Sequence, residues 1–169
     1  MNLTNEGERE RIEMRILIAP DSFKESMTAM EAANAIEKGW RSVTGECDTF
    51  KKIPMADGGE GTTQSLHDAL GGKFVTTTVT GPLGSPVEAT YSIANEGRTA
   101  VIEMAAASGL DLIPKAHRNP LISTTYGTGE LLRHAVDQGV SHIILGIGGS
   151  ATNDGGAGLL QALGVRLYD

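Results

Sequence analysis

The feature that most constrains the fold of this chain is a glycine-rich loop at residues 145–158. The apolar run before it, residues 141–145, is rich in β-branched residues and predicts a buried strand. Residues 159–163, followed by Gly164, predict a short helix that ends at a glycine. A strand, a glycine-rich loop and a helix in this order are typical of an α/β fold.

The composition of this loop suits an anionic ligand. Backbone N–H groups at the start of a helix lack an intrahelical partner, and the helix dipole is positive there. Ser150, Thr152 and Asn153 add short polar side chains, and Asp154 adds a carboxylate. This combination indicates a site for phosphate together with a metal ion or a reactive hydroxyl. The alternative is a glycine-rich connection in which Asp154 only caps the helix.

Two common nucleotide-binding loops fit this segment poorly. No Gly-Lys-Ser/Thr sequence follows the glycines, so the loop is not a P-loop. Residues 146–151 match the loose dinucleotide pattern G-x-G-x-x-A. The chain ends before an acidic residue about 20 positions further on could be found, as that pattern requires. A nicotinamide-binding module is therefore an alternative that rests on this match alone.

Composition and charge exclude several classes of protein. The 169 residues suffice for one domain or two small ones. The formal net charge of -7 argues against a nucleic-acid partner, and no basic patch indicates a membrane surface. No apolar run approaches the roughly 18 residues of a membrane span. The only cysteine, Cys47, allows no intrachain disulfide, so we expect a soluble cytoplasmic protein.

A second strand–loop–helix unit lies near the start of the chain. Residues 15–19 predict an apolar strand, and the loop after it carries Asp21, Ser22 and Lys24. Open α/β sheets bind their ligands beyond the ends of such strands, so Lys24 is a candidate ligand group. The alternative is that Lys24 is an ordinary exposed lysine on the surface.

A third unit follows with two acidic residues in its loop. Residues 49–53 predict the strand and residues 62–70 the helix, and Asp57 and Glu60 lie among glycines between them. Paired carboxylates can hold Mg²⁺, or one of them can accept a hydroxyl proton. The alternative is that Asp57 makes a local Asx-turn and Glu60 complements the helix dipole in the first turn.

The sequence pattern changes after Gly72. Residues 73–80, 87–94 and 99–104 alternate with a period of two and predict three strands of an antiparallel meander. A helical pattern at residues 128–138 then leads back to the strand before the central loop. An open, mostly parallel sheet with flanking helices is therefore expected to be joined to a second α/β segment through the meander.

These patterns predict three regions. Residues 1–13 form a polar extension, residues 14–72 a first α/β domain, and residues 73–169 a second domain that is incomplete at its end. Residues 165–169 look like the start of another strand with nothing to cover it. We therefore expect a truncated or split chain.

Six motifs resemble, in order, those of the type I glycerate kinase family. They lie at residues 19–24, 56–61, 81–84, 102–104, 125–130 and 148–156. The resemblance implies a kinase of two α/β domains that uses ATP and Mg²⁺ to phosphorylate D-glycerate, usually at the 2-hydroxyl, in glycerate or glyoxylate metabolism. It covers only the first half of that family's sequence. It thus implies a small-molecule substrate and either a complementing C-terminal half or a homo-oligomer.

The resemblance and the residue chemistry together give the candidate site. Lys24, Asp57 and Asp154 are the candidate catalytic residues. Lys24 is expected on the transferring phosphate or the glycerate carboxylate, while the two aspartates compete for the roles of base and metal ligand. The candidate binding residues are Asp21, Ser22, Gly58, Gly59, Glu60, Thr125, Gly127, Thr128, Gly148, Gly149, Ser150, Thr152 and Asn153. The alternative function is a non-catalytic fragment that requires the missing half.

Overall fold

Two β-sheets organise this protein in a computed structural model, which describes residues 13–23, 26–45 and 48–168. Lys24, Cys47 and nearly all of the predicted N-terminal extension lie outside these ranges. The mixture of parallel and antiparallel strands with flanking helices confirms the predicted α/β class. None of the described helices is long and apolar enough to cross a membrane.

The first sheet is a parallel pair connected by a helix. Strands β1 (Arg15–Ile18) and β2 (Thr49–Lys52) are joined by helix α1 (Ala29–Thr44). This helix begins with a capping box, in which the Thr28 hydroxyl accepts from the Glu31 backbone N–H and the Glu31 carboxylate accepts from that of Thr28. The loops that follow β1 and β2 therefore leave from the same edge of this sheet.

The second sheet has four described strands in the order β3-β4-β5-β6. The first three are antiparallel neighbours and confirm the predicted meander, and β6 pairs parallel with β5. The bounds of these strands are β3 Lys73–Thr80, β4 Pro86–Ala94, β5 Thr99–Glu103 and β6 His142–Gly146.

Four helices accompany the second sheet. Helix α2 (Thr62–Leu70) packs against β4 and β5, although it precedes Gly72, and α4 (Tyr126–Asp137) packs against β3 and α5 (Ala157–Ala162). The core lies between the sheet and α4 and includes Tyr91, Ile102 and Leu131, all fully buried. The helices are α2 Thr62–Leu70, α3 Ala105–Ser108, α4 Tyr126–Asp137 and α5 Ala157–Ala162; two 3-10 turns, Leu110–Leu112 and Lys115–His117, follow α3.

Two local predictions are wrong. Strand β6 is not buried, because it lies at the edge of the described sheet, where Ile143 and Ile144 are 38% and 41% exposed. An apolar run identifies a strand but does not reveal which neighbours cover it. Residues 165–168 form no strand, since no described strand lies beside them to supply hydrogen bonds.

Candidate active site

The two glycine-rich loops that follow β2 and β6 pack against each other. The Gly148 N–H donates to the Gly58 carbonyl at 2.8 Å. A side chain at Gly146 would place its Cβ 2.5 Å from the Gly58 oxygen, and one at Gly148 would lie 2.7 Å from the Gly59 Cα. The backbones therefore approach as closely as only glycine permits. Two loops that lie far apart in the sequence thus form one rim.

A cavity of about 470 Å³ lies beside this rim and is the candidate active site, which we call the cleft. Its volume is within the range of small-molecule sites. The segment after β5 supplies a largely apolar wall, which adjoins the rim through the hydrogen bond from the Leu110 N–H to the Gly149 carbonyl. The lining residues are Asp21, Ser22, Asp57, Gly59, Glu60, Glu103, Ala105, Ala106, Gly109, Leu110, Asp111, Leu112, Gly148 and Gly149.

Seven of the residues predicted from the sequence line the cleft: Asp21, Ser22, Asp57, Gly59, Glu60, Gly148 and Gly149. They come from the loops after β1 and β2, which leave the same edge of the first sheet, and from the loop after β6 in the second sheet, which the Gly148–Gly58 hydrogen bond holds against them. Sequence reasoning missed Glu103 and Asp111 as site residues. Glu103 could have been found from its position at the end of β5. Asp111 lies in a short 3-10 turn that no sequence pattern predicts.

The carboxylates of the cleft influence one another. The Asp57 side chain accepts from the Gly59 N–H at 3.0 Å. This contact is the local Asx-turn that the alternative interpretation of Asp57 predicts. Burial raises the pKa of Glu60, and the neighbouring carboxylates of Asp111 and Glu103 raise it further. The cleft therefore carries closely spaced negative charge, and bound protons or cations stabilise it.

Asp154 lies outside the lining of the cleft, and both of its carboxylate oxygens accept hydrogen bonds. Its Oδ2 accepts from the Thr125 N–H at 2.8 Å, the Thr125 hydroxyl at 2.9 Å and the Gly158 N–H at 3.2 Å. Its Oδ1 accepts from the Gly156 N–H at 3.1 Å. The Thr125 hydroxyl in turn accepts from the Leu159 N–H. We call this cluster the helix clasp, because it joins the N-termini of α4 and α5.

The charge of Asp154 is stabilised within the helix clasp. Burial by itself would raise the pKa of this carboxyl group, but the hydrogen bonds from Thr125, Gly156 and Gly158 outweigh burial and lower it. The Asp154 side chain does not line the cleft. This geometry favours a structural role for Asp154 over that of a base or metal ligand.

Two further candidate residues are buried in the first turn of α4. The Thr128 hydroxyl hydrogen-bonds the Ser108 hydroxyl at 2.8 Å in the interior. A Cβ at Gly127 would collide with the Thr80 carbonyl oxygen, so this glycine allows α4 to approach β3 closely. Neither residue lines the cleft, and their predicted role in binding stays a prediction.

The remaining candidates lie in the second part of the central loop. The Ser150 hydroxyl accepts from the Thr152 N–H at 3.0 Å and lies 2.7 Å from the Thr152 hydroxyl. The Ala151 N–H donates to the Ser108 carbonyl, so several polar groups of this loop are used internally. Asn153 is exposed. None of these side chains lines the cleft, and their binding roles also stay predictions.

The cleft fits a metal ion only as a site shared with substrate. Within the described ranges no three or more His, Cys, Asp or Glu side chains form a group that could hold a metal ion. Mg²⁺ is commonly bound by one or two carboxylates, with water and substrate phosphates completing its shell. Glu60 and Asp111 both line the cleft, and their carboxylates offer the oxygen ligands for such a site.

These features define an α/β protein whose small-molecule site is built by glycine-rich loops at strand ends. The sequence identifies the class more closely, because residues 16–169 match the model of the Glycerate kinase family. The chain belongs to that family.

Several relatives carry the same name. The chain is 63% identical over 156 residues to a glycerate kinase of Bacillus subtilis, covering 92% of this chain and 41% of the relative. It is 54% identical over 156 residues to the glycerate 2-kinase of Escherichia coli, with the same two coverages. A crystal structure of a putative glycerate kinase 2 from Salmonella typhimurium aligns with a TM-score of 0.72 at 57% identity, covering 94% of this chain and 42% of that one. This chain thus spans about two fifths of the length of its relatives.

Proposed function

We propose that this chain takes part in the ATP-dependent phosphorylation of D-glycerate, with 2-phosphoglycerate as the product. The observation that carries the proposal is the contact between the loops after β2 and β6, which forms one cleft from motifs typical of the family. The names of the relatives, glycerate kinase and glycerate 2-kinase, support the substrate and the position of transfer.

Asp57 is the proposed base of this reaction. Its carboxylate lines the cleft, and its bond to the Gly59 N–H holds it in one orientation. Phosphoryl transfer requires mainly positioning and stabilisation of charge, together with an acceptor for the proton of the attacking hydroxyl. The backbone of Gly149 lines the same cavity without a side chain, which leaves room for a phosphate oxygen.

The negative charge of the cleft explains why the binding of ATP and glycerate requires cations. Five carboxylates line it, and no lysine or arginine among the described residues does. ATP and glycerate are both anions, so positive charge must be added before they can bind side by side. We propose that Lys24, two positions after Ser22 in the sequence, supplies one such charge. Mg²⁺ held by Glu60 and Asp111 would neutralise the phosphate charge.

The test is the release of ADP by the purified chain with Mg-ATP, with and without D-glycerate, and with L-glycerate as the control. The proposal expects turnover that depends on D-glycerate, and a ³¹P spectrum of the product that identifies 2-phosphoglycerate. Asp57→Asn should lower kcat by at least about 100-fold, because a positioned base is lost. The exposed Asp137→Asn is the matched control. An Asp57→Asn variant within a few-fold of the parent would contradict the assignment.

A second candidate is supported by the lengths of the relatives. Because the chain matches only 41% of the Bacillus subtilis relative, it could act as a ligand-binding part of a larger enzyme. The same assay is therefore repeated after adding the part of that relative which this chain does not match. Turnover that appears only in the mixture would favour this second candidate.

A further inference from the structure

Glu103 is a buried carboxylate that none of the predicted catalytic roles uses. It is the last residue of β5, which lies between β4 and β6, and it is only 8% exposed. Part of its side chain lines the cleft. A buried carboxylate destabilises a protein unless hydrogen bonds compensate for the lost water. The partners of Glu103 therefore indicate what it does.

The hydrogen-bond partner of Glu103 is a backbone group at the start of α2. The Glu103 Oε1 accepts from the Thr63 N–H at 2.5 Å. Gly61 is the N-cap of α2 and provides no side-chain cap. Glu103 thus caps a helix that lies 40 residues earlier in the chain, and its negative charge complements the dipole of that helix.

This cap completes the attachment of the loop between β2 and α2. At one side of the loop, the Gly58 carbonyl accepts from the Gly148 N–H. At the other side, Glu103 accepts from the Thr63 N–H. Glu60 lies between these two attachments, and Asp57 directly precedes the first. Both attachments come from β5 and from the loop after β6 in the second sheet, so Glu103 fixes the loop carboxylates relative to the part of the cleft that this sheet supplies.

The attachment is needed because the loop carries repelling charge. Asp57, Glu60, Glu103 and Asp111 all line the cleft, so their negative charges repel one another when the groups are ionised. Such repulsion favours movement of this loop, which contains three glycines, away from the cleft unless its ends are held.

We propose that Glu103 is a positioning residue of the phosphoryl transfer, which holds the start of α2 so that Asp57 and Glu60 face the substrate. This inference rests on the proposed function, but the contact itself exists without ligand. Glu103 acts through the loop and does not touch the reacting atoms.

The kinetic test compares Glu103→Gln with Glu88→Gln, an exposed glutamate on β4 that serves as the matched control. Glutamine keeps the size of the side chain and one carbonyl oxygen, but it is neutral, so the hydrogen bond to the Thr63 N–H loses the charge that strengthens it. We expect kcat to fall by about 100-fold, because a misplacement of about 1 Å is enough for such a loss. The KM for D-glycerate should change by less than about threefold. Equal kcat values for the two variants would overturn the proposal.

A second measurement needs neither activity nor ligand. In ¹⁵N-labelled protein, Glu103→Gln should shift the amide signals of residues 57–63, while those of the helix clasp keep their positions and show that the fold is intact. Unchanged signals at residues 57–63 would overturn the positioning role. If the parent chain shows no turnover with D-glycerate, the proposed function fails, and these spectra still decide whether Glu103 holds the loop.

Discussion

One carboxylate, Asp154, joins two helices, and its replacement is therefore expected to cost stability. Asp154→Asn keeps the shape of the side chain but leaves only one oxygen that can accept hydrogen bonds. In the parent protein, both carboxylate oxygens accept them. Hydrogen bonds to a charged group contribute about 2 kcal/mol, so we expect the free energy of unfolding to fall by about that amount. Urea denaturation followed by circular dichroism measures it. Asp137→Asn, exposed at the end of α4, should change stability by less than about 0.5 kcal/mol.

The same prediction has a defined pH dependence. The pKa of Asp154 in the folded protein lies below its ordinary value of 3.8, so the folded state favours the charged form. The stabilisation is complete above the unfolded pKa and is lost as the pH falls through the lowered folded value. The stability difference between parent and Asp154→Asn should therefore be full at neutral pH and vanish in strong acid. A variant with parental stability but no glycerate phosphorylation would instead assign Asp154 to the chemistry.

Single residues show what the sequence could reveal about the site. The carboxylates Asp57 and Glu60 and the glycines after β6 were predicted because they lie in glycine-rich loops between a strand and a helix, a pattern that the sequence alone reveals. The partnership of Asp154 with Thr125 could not be found, because it joins positions 29 residues apart through the packing of two helices. Such a contact depends on the tertiary structure, and nothing in the local pattern distinguishes it from a simple helix cap.

The packing of α4 against α5 depends on Gly129, the fourth residue of α4. A Cβ at Gly129 would collide with the Leu159 carbonyl oxygen and would lie 2.7 Å from the Ala162 Cβ. Gly129→Ala must therefore push the helices apart, although alanine is the better helix former. We expect it to lower the free energy of unfolding by about 1–3 kcal/mol, the usual cost of overpacking. Thermal and urea unfolding measure the change.

Helix α1 supplies the matched control for this substitution. Gly39 lies inside α1, and no heavy atom is within 4 Å of the position that its Cβ would take. Gly39→Ala should raise the free energy of unfolding by about 0.5–1 kcal/mol, because it gains helix propensity without a clash. If the two substitutions stabilised the protein equally, the close approach of α4 and α5 would be disproved.

The regular elements were predictable to different degrees. Strands β3, β4 and β5 have a clear period of two and end in turn sequences, so their bounds were predicted within a residue. The predicted helix at residues 128–138 begins two residues earlier, at Tyr126, because the Asp154 carboxylate binds the backbone just before it. The exposure of β6 could not be predicted, since a sequence run does not report how many strands a sheet has.

Across the described residues, many large apolar side chains are exposed to solvent, and two of them lie on the edge strand β6. Strand β6 has β5 as its described partner on one side and presents Ile143 and Ile144 to solvent. An open strand edge with apolar side chains is a template for pairing with another chain. We therefore predict that the purified chain associates with itself as its concentration rises. Ile144→Lys should weaken this association by about tenfold, because a charge at the edge opposes pairing.

Sedimentation velocity over a range of concentrations measures the association. Leu121→Lys is the matched control, because Leu121 is 86% exposed but lies in a loop that offers no strand edge. If both variants weakened association equally, general apolar surface rather than β6 would be responsible. A parent chain that sediments as a monomer at every concentration would show that β6 does not pair between copies. The next partner to test for this edge would then be the part of the Bacillus subtilis relative that this chain does not match.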